Sequence, residues 1–443
     1  VKLSFSVCAR AVSLLAALSV SASAVAADKV IIISPHRKSI QDEYIPKFQE
    51  YYKKNFNTEV QVDWLDQGGA SDDLRFVRAK FAKDPATAGI DIFWGGGAST
   101  FIDLSADKYL AAYQLPADLK PLLPATASGV SMTDGKGEWY ASAVSSFGIF
   151  FNRAFMKVLK INEPTTWADL ADPKYLNKIS LADPRRSGTA GQMNMIIIQN
   201  LGWENGWQLL NEVAGNNRAF THSSSDPIKN VVAGDAVASM AIDFYALAKV
   251  SELGNDKLGF ALPASQTVLD PDPIAIMKGA PNRKAAERFV NFVLSNEAQK
   301  LLVLGMKEAD GPKLSVLGRM AVNTQTYKDT EGRRINPFNP FTEKTMFKLD
   351  SQKAAKLKSI VDDLIGAVII DAHEELKAAW KVASAAPAGS PLRKEFGAMP
   401  ITEAEILTLS AKWDDNVVRN QKINEWLAFA KAKFKKIASG KQG

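Results

Sequence analysis

Residues 90–99 read Ile90-Asp91-Ile92-Phe93-Trp94-Gly95-Gly96-Gly97-Ala98-Ser99. An apolar run ends in a loop of small residues, and Thr100 with Asp103 then predicts a capping box at the head of a helix. A strand that passes through such a loop into a helix is the repeating unit of a mostly parallel α/β sheet. The unit occurs twice more upstream. Residues 30–33 form a β-branched strand, Ser34 and Pro35 offer an N-cap and a first-turn proline, and Ile40, Tyr44, Phe48 and Tyr51 follow at helical spacing. Pro46 is expected to kink or interrupt that helix. Residues 59–65 form the second strand, Gln67-Gly68-Gly69-Ala70-Ser71 the loop, and Leu74, Val77 and Phe81 mark the next helix. In such sheets ligands gather where strand carboxyl ends meet helix N-termini. There the free N–H groups of residues 68–71 and 95–99 favour negative charge. Either glycine loop alone is equally well explained as a tight turn; three loops at one sheet edge favour binding.

Beyond Tyr140 the pattern changes. Residues 143–152 form an extended apolar strand long enough to pass from one domain to another, and residues 258–263 and 267–276 form a second extended stretch. Between them lies a second α/β unit, with helices near residues 190–201 and 203–213, a serine loop at 223–225 and a strand at 237–242. From residue 336 onward two long helical stretches are expected, at 350–382 and 402–437, broken near Ala386. Their apolar positions include Ile360, Leu364, Val368, Ile406, Leu409, Trp413 and Val417. The basic residues from Lys431 to Lys436, Lys433 among them, are expected to form a solvated face that needs no partner.

The composition fits this organisation. The 443 residues are 46% hydrophobic, with one Cys, 28 Gly and 20 Pro, which excludes disordered, collagenous and disulfide-stapled classes. The formal charge of +6 is spread along the chain, so nucleic acid is not an expected partner. Lys2 and Arg10, the apolar run 11–20 and the small residues 21–27 have the three-part plan of a secretory signal peptide, with cleavage near Ala26 or Ala27. Cys8 lies too early in it to be a lipid-anchored cysteine. Val1 reads as an alternative start codon. Removing residues 1–27 leaves 416 residues, a charge of +4 and no thiol. Thiol catalysis and thiolate metal sites are thereby excluded, and a periplasmic location is expected.

Three segments carry a family resemblance: DIFWGGG at 91–97, TTWADLADPKY at 165–175 followed by DPRRSGTA at 183–190, and DPDPIAIMKGAPNRKAAERFVNFVLSNEAQ at 270–299. Over about residues 28–325 the chain resembles the extracellular solute-binding proteins of ABC importers, in the branch with ferric-ion-binding and phosphorylated-solute-binding members. The resemblance implies an α/β, type II-like fold of two lobes joined by two crossing strands, a solute held in the cleft, and closure presented to a membrane permease. It implies a binder with no cofactor, not an enzyme, and a monomer is expected. Lobe 1 would comprise residues 28–142 and 264–330, lobe 2 residues 143–263, and residues 331–443 a helical extension packed on lobe 1.

Iron-binding members use a histidine near the first strand and two adjacent tyrosines in the second lobe. His36 falls near the first place, but Phe244 replaces one tyrosine and leaves Tyr245 alone, so ferric ion is the alternative ligand. A small anion, such as a phosphorylated sugar, a phosphonate or a carboxylate, suits the residues better. Arg185 and Arg186 precede Ser187, Gly188 and Thr189 at a helix head. Ser34, Ser71, Ser99, Ser145 and Ser224, with Gly69 and Gly97, lie in stretches expected at the cleft, although helix capping alone explains any single serine. Asp243 and Tyr245 would orient a solute hydroxyl or amine. His222 can border the cleft; His373 has no assigned role. A secreted Ser-His-Asp hydrolase is the rival enzyme reading, but no Gly-x-Ser-x-Gly elbow occurs. A receptor that reports solute to a membrane sensor is a third reading.

Overall fold

The computed structural model describes residues 27–342 and 346–440; the expected signal peptide lies, apart from Ala27, outside the described residues. The first lobe opens with β1 (Asp28–Ile33), α1 (Lys38–Phe56), β2 (Val60–Leu65), α2 (Ala70–Lys83), β3 (Ile92–Trp94) and α3 (Ala98–Ala106). A short β4 (Leu110–Ala111) and the hairpin β5 (Thr126–Ala127) and β6 (Val130–Ser131) follow. Strands β1, β2 and β3 are parallel, with β1 between the other two. Alternate residues serve opposite faces of this sheet. Ile32 and Ile92 join Tyr44, Phe48, Phe289 and Phe292 on one face, and Ile33 and Phe93 join Val77, Phe81 and Phe101 on the other. Both faces are covered, as a parallel sheet requires.

Three local expectations change. Helix α1 runs through Pro46 without a break, and it starts at Lys38, so Ser34 does not cap it. Gly97, not Thr100, precedes α3; Thr100 instead donates its Oγ–H to the Gly96 carbonyl at 2.9 Å.

Strand β7 (Tyr140–Asn152) joins the lobes. The second lobe then holds α4 (Arg153–Leu159), β8 (Ile179–Ala182), α5 (Gly188–Leu201), α6 (Trp203–Asn216), β9 (Asn217–Thr221), α7 (Asp226–Ala233), β10 (Ala238–Ile242), α8 (Asp243–Leu253) and β11 (Leu258–Ala261). The chain returns through β12 (Leu269–Met277) to α9 (Arg283–Leu294), α10 (Asn296–Val303) and α11 (Thr324–Asp329) in the first lobe. Residues 140–146 of β7 pair antiparallel with β12, whereas residues 147–152 pair with β10 and β11. One strand therefore belongs to two sheets, and it changes partners at Ser146/Phe147. Thr267 braces that point by donating its hydroxyl to the Phe147 carbonyl at 2.6 Å.

The C-terminal helices are α12 (Ser351–Ile365), a π-helical turn at Gly366–Ile370, α13 (His373–Ala383), α14 (Pro391–Gly397), α15 (Glu403–Leu409) and α16 (Asn416–Ala438). They pack on the second lobe, which corrects the expectation that they pack on the first. Trp167, Ile196 and Trp207 share one core with Leu364, Val368, Trp380 and Phe434. Trp380 is fully buried against Gly215 of α6, where a side chain would collide with its ring, and its Nε1–H donates to Asn216 Oδ1 at 2.7 Å. The amphipathic faces of these helices match α5 and α6, whose own outward apolar faces would otherwise be uncovered. The leading segment touches the first lobe, where Phe338 and Phe341 pack. Lys433, expected on the solvated face, is instead buried and donates to the Phe396 and Ala398 carbonyls at 2.8 Å.

Candidate functional site

The two lobes and α12 enclose a cavity of about 340 Å³. The first turns of α2 (Ala70, Ser71), α3 (Ala98, Ser99, Thr100), α5 (Gly188, Thr189), α8 (Phe244, Tyr245) and α12 (Ser351) all line it. Each first turn carries N–H groups without an intrahelical acceptor, so five positive helix ends converge on one space.

A buried ionic cluster forms its floor. His36 Nε2 lies 2.7 Å from Asp272 Oδ2, and Arg319 donates to the same oxygen. All three residues are buried. Burial opposes ionisation of Asp272, but the charges and hydrogen bonds of His36 and Arg319 outweigh it and hold the carboxyl below the usual range. Burial pushes the His36 imidazole down more than Asp272 raises it, so near neutral pH the ring donates Nε2–H to a permanent Arg319–Asp272 pair. Its Nδ1 is buried without a hydrogen-bond partner among the described residues. Gly95 allows this packing: with φ at +88°, it would place a Cβ 2.5 Å from His36 Nε2.

Beside the cluster, Asp270 faces the cavity and accepts a hydrogen bond from the Ala98 N–H. Burial, with the neighbouring Asp272 charge, pushes its carboxyl up to about 7. The second lobe faces these groups with aromatic rings. The Arg319 guanidinium lies 4.1 Å from the centre of the Phe244 ring, and Arg37 lies 3.8 Å from that of Tyr245. Both contacts cross between lobes, and cations over ring faces hold the cleft closed.

Of the residues singled out in the sequence, His36, Ser71, Gly97, Ser99, Ser145, Gly188, Thr189 and Tyr245 meet in this cavity. Six do not line it. Ser34 is buried and accepts the His36 N–H at 3.2 Å, and Gly69 precedes α2. Ser187 caps α5 by accepting the Ala190 N–H, and Ser224 lines a small apolar cavity inside the second lobe. Asp243 is fully buried behind the cleft, accepting from Ser146 Oγ at 3.2 Å and the Phe244 N–H at 2.8 Å. Arg185 is already engaged: its guanidinium bridges Asp183 and Asp371 and, with Arg186 and His222, borders a separate depression. It is therefore no cleft ligand. His373 packs on Phe220 and bonds the Ala214 carbonyl at 3.0 Å. Sequence reasoning missed Asp270, Asp272, Arg319 and Lys358. The doublet Asp270-Pro271-Asp272-Pro273 was the available signal, since two acidic residues in an otherwise apolar crossing strand need a polar reason.

A cleft between two lobes, floored by fixed charges and ringed by helix N-termini, defines a protein that captures a small solute by closing over it. The chain belongs to the bacterial extracellular solute-binding proteins, whose family pattern matches residues 90–316. It is 26% identical over 320 residues to the phosphoglycerate transport regulatory protein PgtC of Salmonella typhimurium, covering 70% of this chain and 73% of that one. An uncharacterized protein of Haemophilus influenzae is 27% identical over 293 residues, covering 65% of this chain and 79% of that one. Among solved structures, the periplasmic binding protein AfuA of Actinobacillus pleuropneumoniae, with fructose-6-phosphate bound, aligns at a TM-score of 0.60 and 19% identity over 77% of this chain and 98% of its own. Iron-bound HitA of Pseudomonas aeruginosa aligns at 0.58 and 16%, over 76% and 99%. These likenesses establish the two-lobed fold.

Proposed function

We propose that this protein captures a small hydroxylated organic anion, of the phosphorylated sugar or phosphorylated acid class, in the periplasm and delivers it to an inner-membrane ABC permease. The observation that carries the reading is the convergence of five helix first turns on one cavity. The anion binds to N–H groups and hydroxyls at the ends away from α3, whose head Asp270 and Asp272 already occupy, and Asp270 accepts hydrogen bonds from solute hydroxyls. The names of the Salmonella relative and of the sugar-phosphate-bound neighbour support the same class. Export rests on the signal-peptide plan of residues 1–27.

Ferric ion is the weaker reading. Phe244 offers no oxygen, His36 Nε2 is committed to Asp272, and the Arg37 cation covers the Tyr245 ring. A second outcome of capture is favoured by one observation: the Salmonella relative is named as a transport regulatory protein. In that reading the closed form reports solute to a membrane sensor.

The experiment is a thermal-shift and calorimetric panel of 3-phosphoglycerate, fructose 6-phosphate, phosphonates, carboxylates and ferric citrate, since a ligand of the folded state raises its melting point. Binding of a phosphorylated solute is expected. A visible phenolate-to-iron band with ferric citrate, and no response to any phosphorylated solute, would overturn the reading. Co-purification with a permease rather than a sensor kinase then separates import from signalling.

A further inference from the structure

We propose that the C-terminal extension is a wall of the solute cleft, and that Lys358 on α12 is the specificity-determining cation that holds the anionic end of the solute. This rests on the anion reading above and deepens it.

The cleft is chemically polarised. On the first-lobe side Asp270 and Asp272 already occupy the head of α3: Asp272 accepts the Gly97 N–H at 3.3 Å and Asp270 accepts that of Ala98. A second anion at that end would meet two carboxylates. Among the described residues, the side formed by α5 and α12 carries no acidic residue on the cavity wall; Gly188, Thr189, Ser351 and Lys358 stand there. Arg319, the other cation on the wall, is committed to Asp272.

Lys358 is not an ordinary surface lysine. Its Nζ donates to Asp362 Oδ2 at 2.6 Å, and Asp362 is itself buried against α5 where Gly191 has no side chain; a Cβ there would lie 2.7 Å from Asp362 Oδ1. One bond to Asp362 uses one of three ammonium donors, so two remain for the cavity. The helix that carries Lys358 is fixed at its start. Asp350 N–H donates to Gln199 Oε1 at 2.9 Å, and Gln199 Nε2 returns a bond to the Asp350 carbonyl at 3.2 Å. Phe347 N–H donates to the carbonyl of Thr267, the residue that braces the crossing strand, at 2.8 Å. The extension adds both a wall and a charge to the cleft between the two lobes. The solute this fits has its phosphate or carboxylate at the α5–α12 side and hydroxyls toward Asp270.

The test compares Lys358→Met, Lys358→Arg, Ala355→Glu and the control Lys353→Met in calorimetric titrations with 3-phosphoglycerate, fructose 6-phosphate and inorganic phosphate. Lys353 is on the same helix but pairs with Glu403. Lys358→Met should weaken the bound solute about 10- to 100-fold, as expected for loss of one charge-assisted bond. Lys358→Arg should retain most of the affinity, Ala355→Glu should abolish binding, and Lys353→Met should leave it unchanged. Exposure of Ala355 keeps the unliganded melting point of its variant near that of the parent. Lys358→Met leaves the buried Asp362 without its partner and lowers the melting point, so its affinity is measured well below that melting point and read beside Lys358→Arg, which keeps the pair. Undiminished affinity in both Lys358→Met and Ala355→Glu, with the parent protein binding normally, overturns the wall while sparing the anion reading. A parent protein that binds none of the three anions overturns both.

Discussion

Replacing Arg319 with Met removes the only permanent cation of the buried cluster while keeping similar length. Asp272 then retains His36 at 2.7 Å and the Gly97 N–H at 3.3 Å. Removing one partner from a buried ion pair costs about 3–5 kcal/mol, because the remaining charge stays desolvated. The remedy available to the fold is protonation of His36, since the Arg319 charge is one of the forces holding its pKa down and Asp272 pulls it up. Burial remains the largest force lowering it, so in the variant the folded-state pKa of His36 should rise relative to that of the parent. Relative to the parent, a histidine raised in this way adds stability that is fully present below the parent's folded value and is lost as pH rises through the variant's. Each unit of rise returns about 1.4 kcal/mol below the parent's folded value. The variant should thus lose about 3–5 kcal/mol at pH 8 and visibly less at pH 5.5. At about 2 °C per kcal/mol, the melting point falls by roughly 6–10 °C at pH 8. Urea unfolding at both pH values checks the energies. With three histidines in the chain, an NMR titration of ring protons follows His36 directly. A loss under about 1 kcal/mol at pH 8, or the same loss at both pH values with an unmoved His36, refutes the reasoning.

Gly95→Ala should cost more than about 2 kcal/mol and shift the His36 resonances, because it combines a left-handed φ with a collision at the imidazole; a melting point within error of the parent removes that account. Burial pushes Asp243 up to about 7, so the folded state binds a proton that the unfolded state has released. Its contribution to stability is present below pH 3.8 and is lost as pH rises toward 7. Asp243→Asn should flatten denaturant midpoints between pH 4 and 7, and an unchanged slope argues against it. Trp380→Ala should cost about 3–5 kcal/mol and lower the melting of the second lobe and extension together; calorimetry that resolves a separate transition for α12 to α16 would show that the core is not shared.

What the sequence could disclose was local. The parallel units at residues 28–106 were readable because strand period, glycine loop and helix period all act over a few residues. The long β7 was legible over residues 143–152, where apolar residues continue on both sides of Gly148, although the strand starts three residues earlier, at Tyr140. Helical spacing also revealed the extension, but an apolar stripe does not name its partner, and only the bare surface of Gly215 shows why Trp380 seats on α6. The site was harder for the same reason. Arg185 looked available because its second counterion, Asp371, stands 186 residues away. Arg319 looked unremarkable because it acquires a role only when the segment between α10 and α11 brings it to Asp272, which the return strand β12 has placed against His36.

Because the extension has its core in the second lobe, the described chain begins at β1 on one moving body and ends at α16 on the other. A donor and an acceptor fluorophore, fused before Asp28 and after Ala438, would therefore ride on opposite bodies. Solute capture would then be readable as a change in energy transfer, with no internal insertion site to engineer.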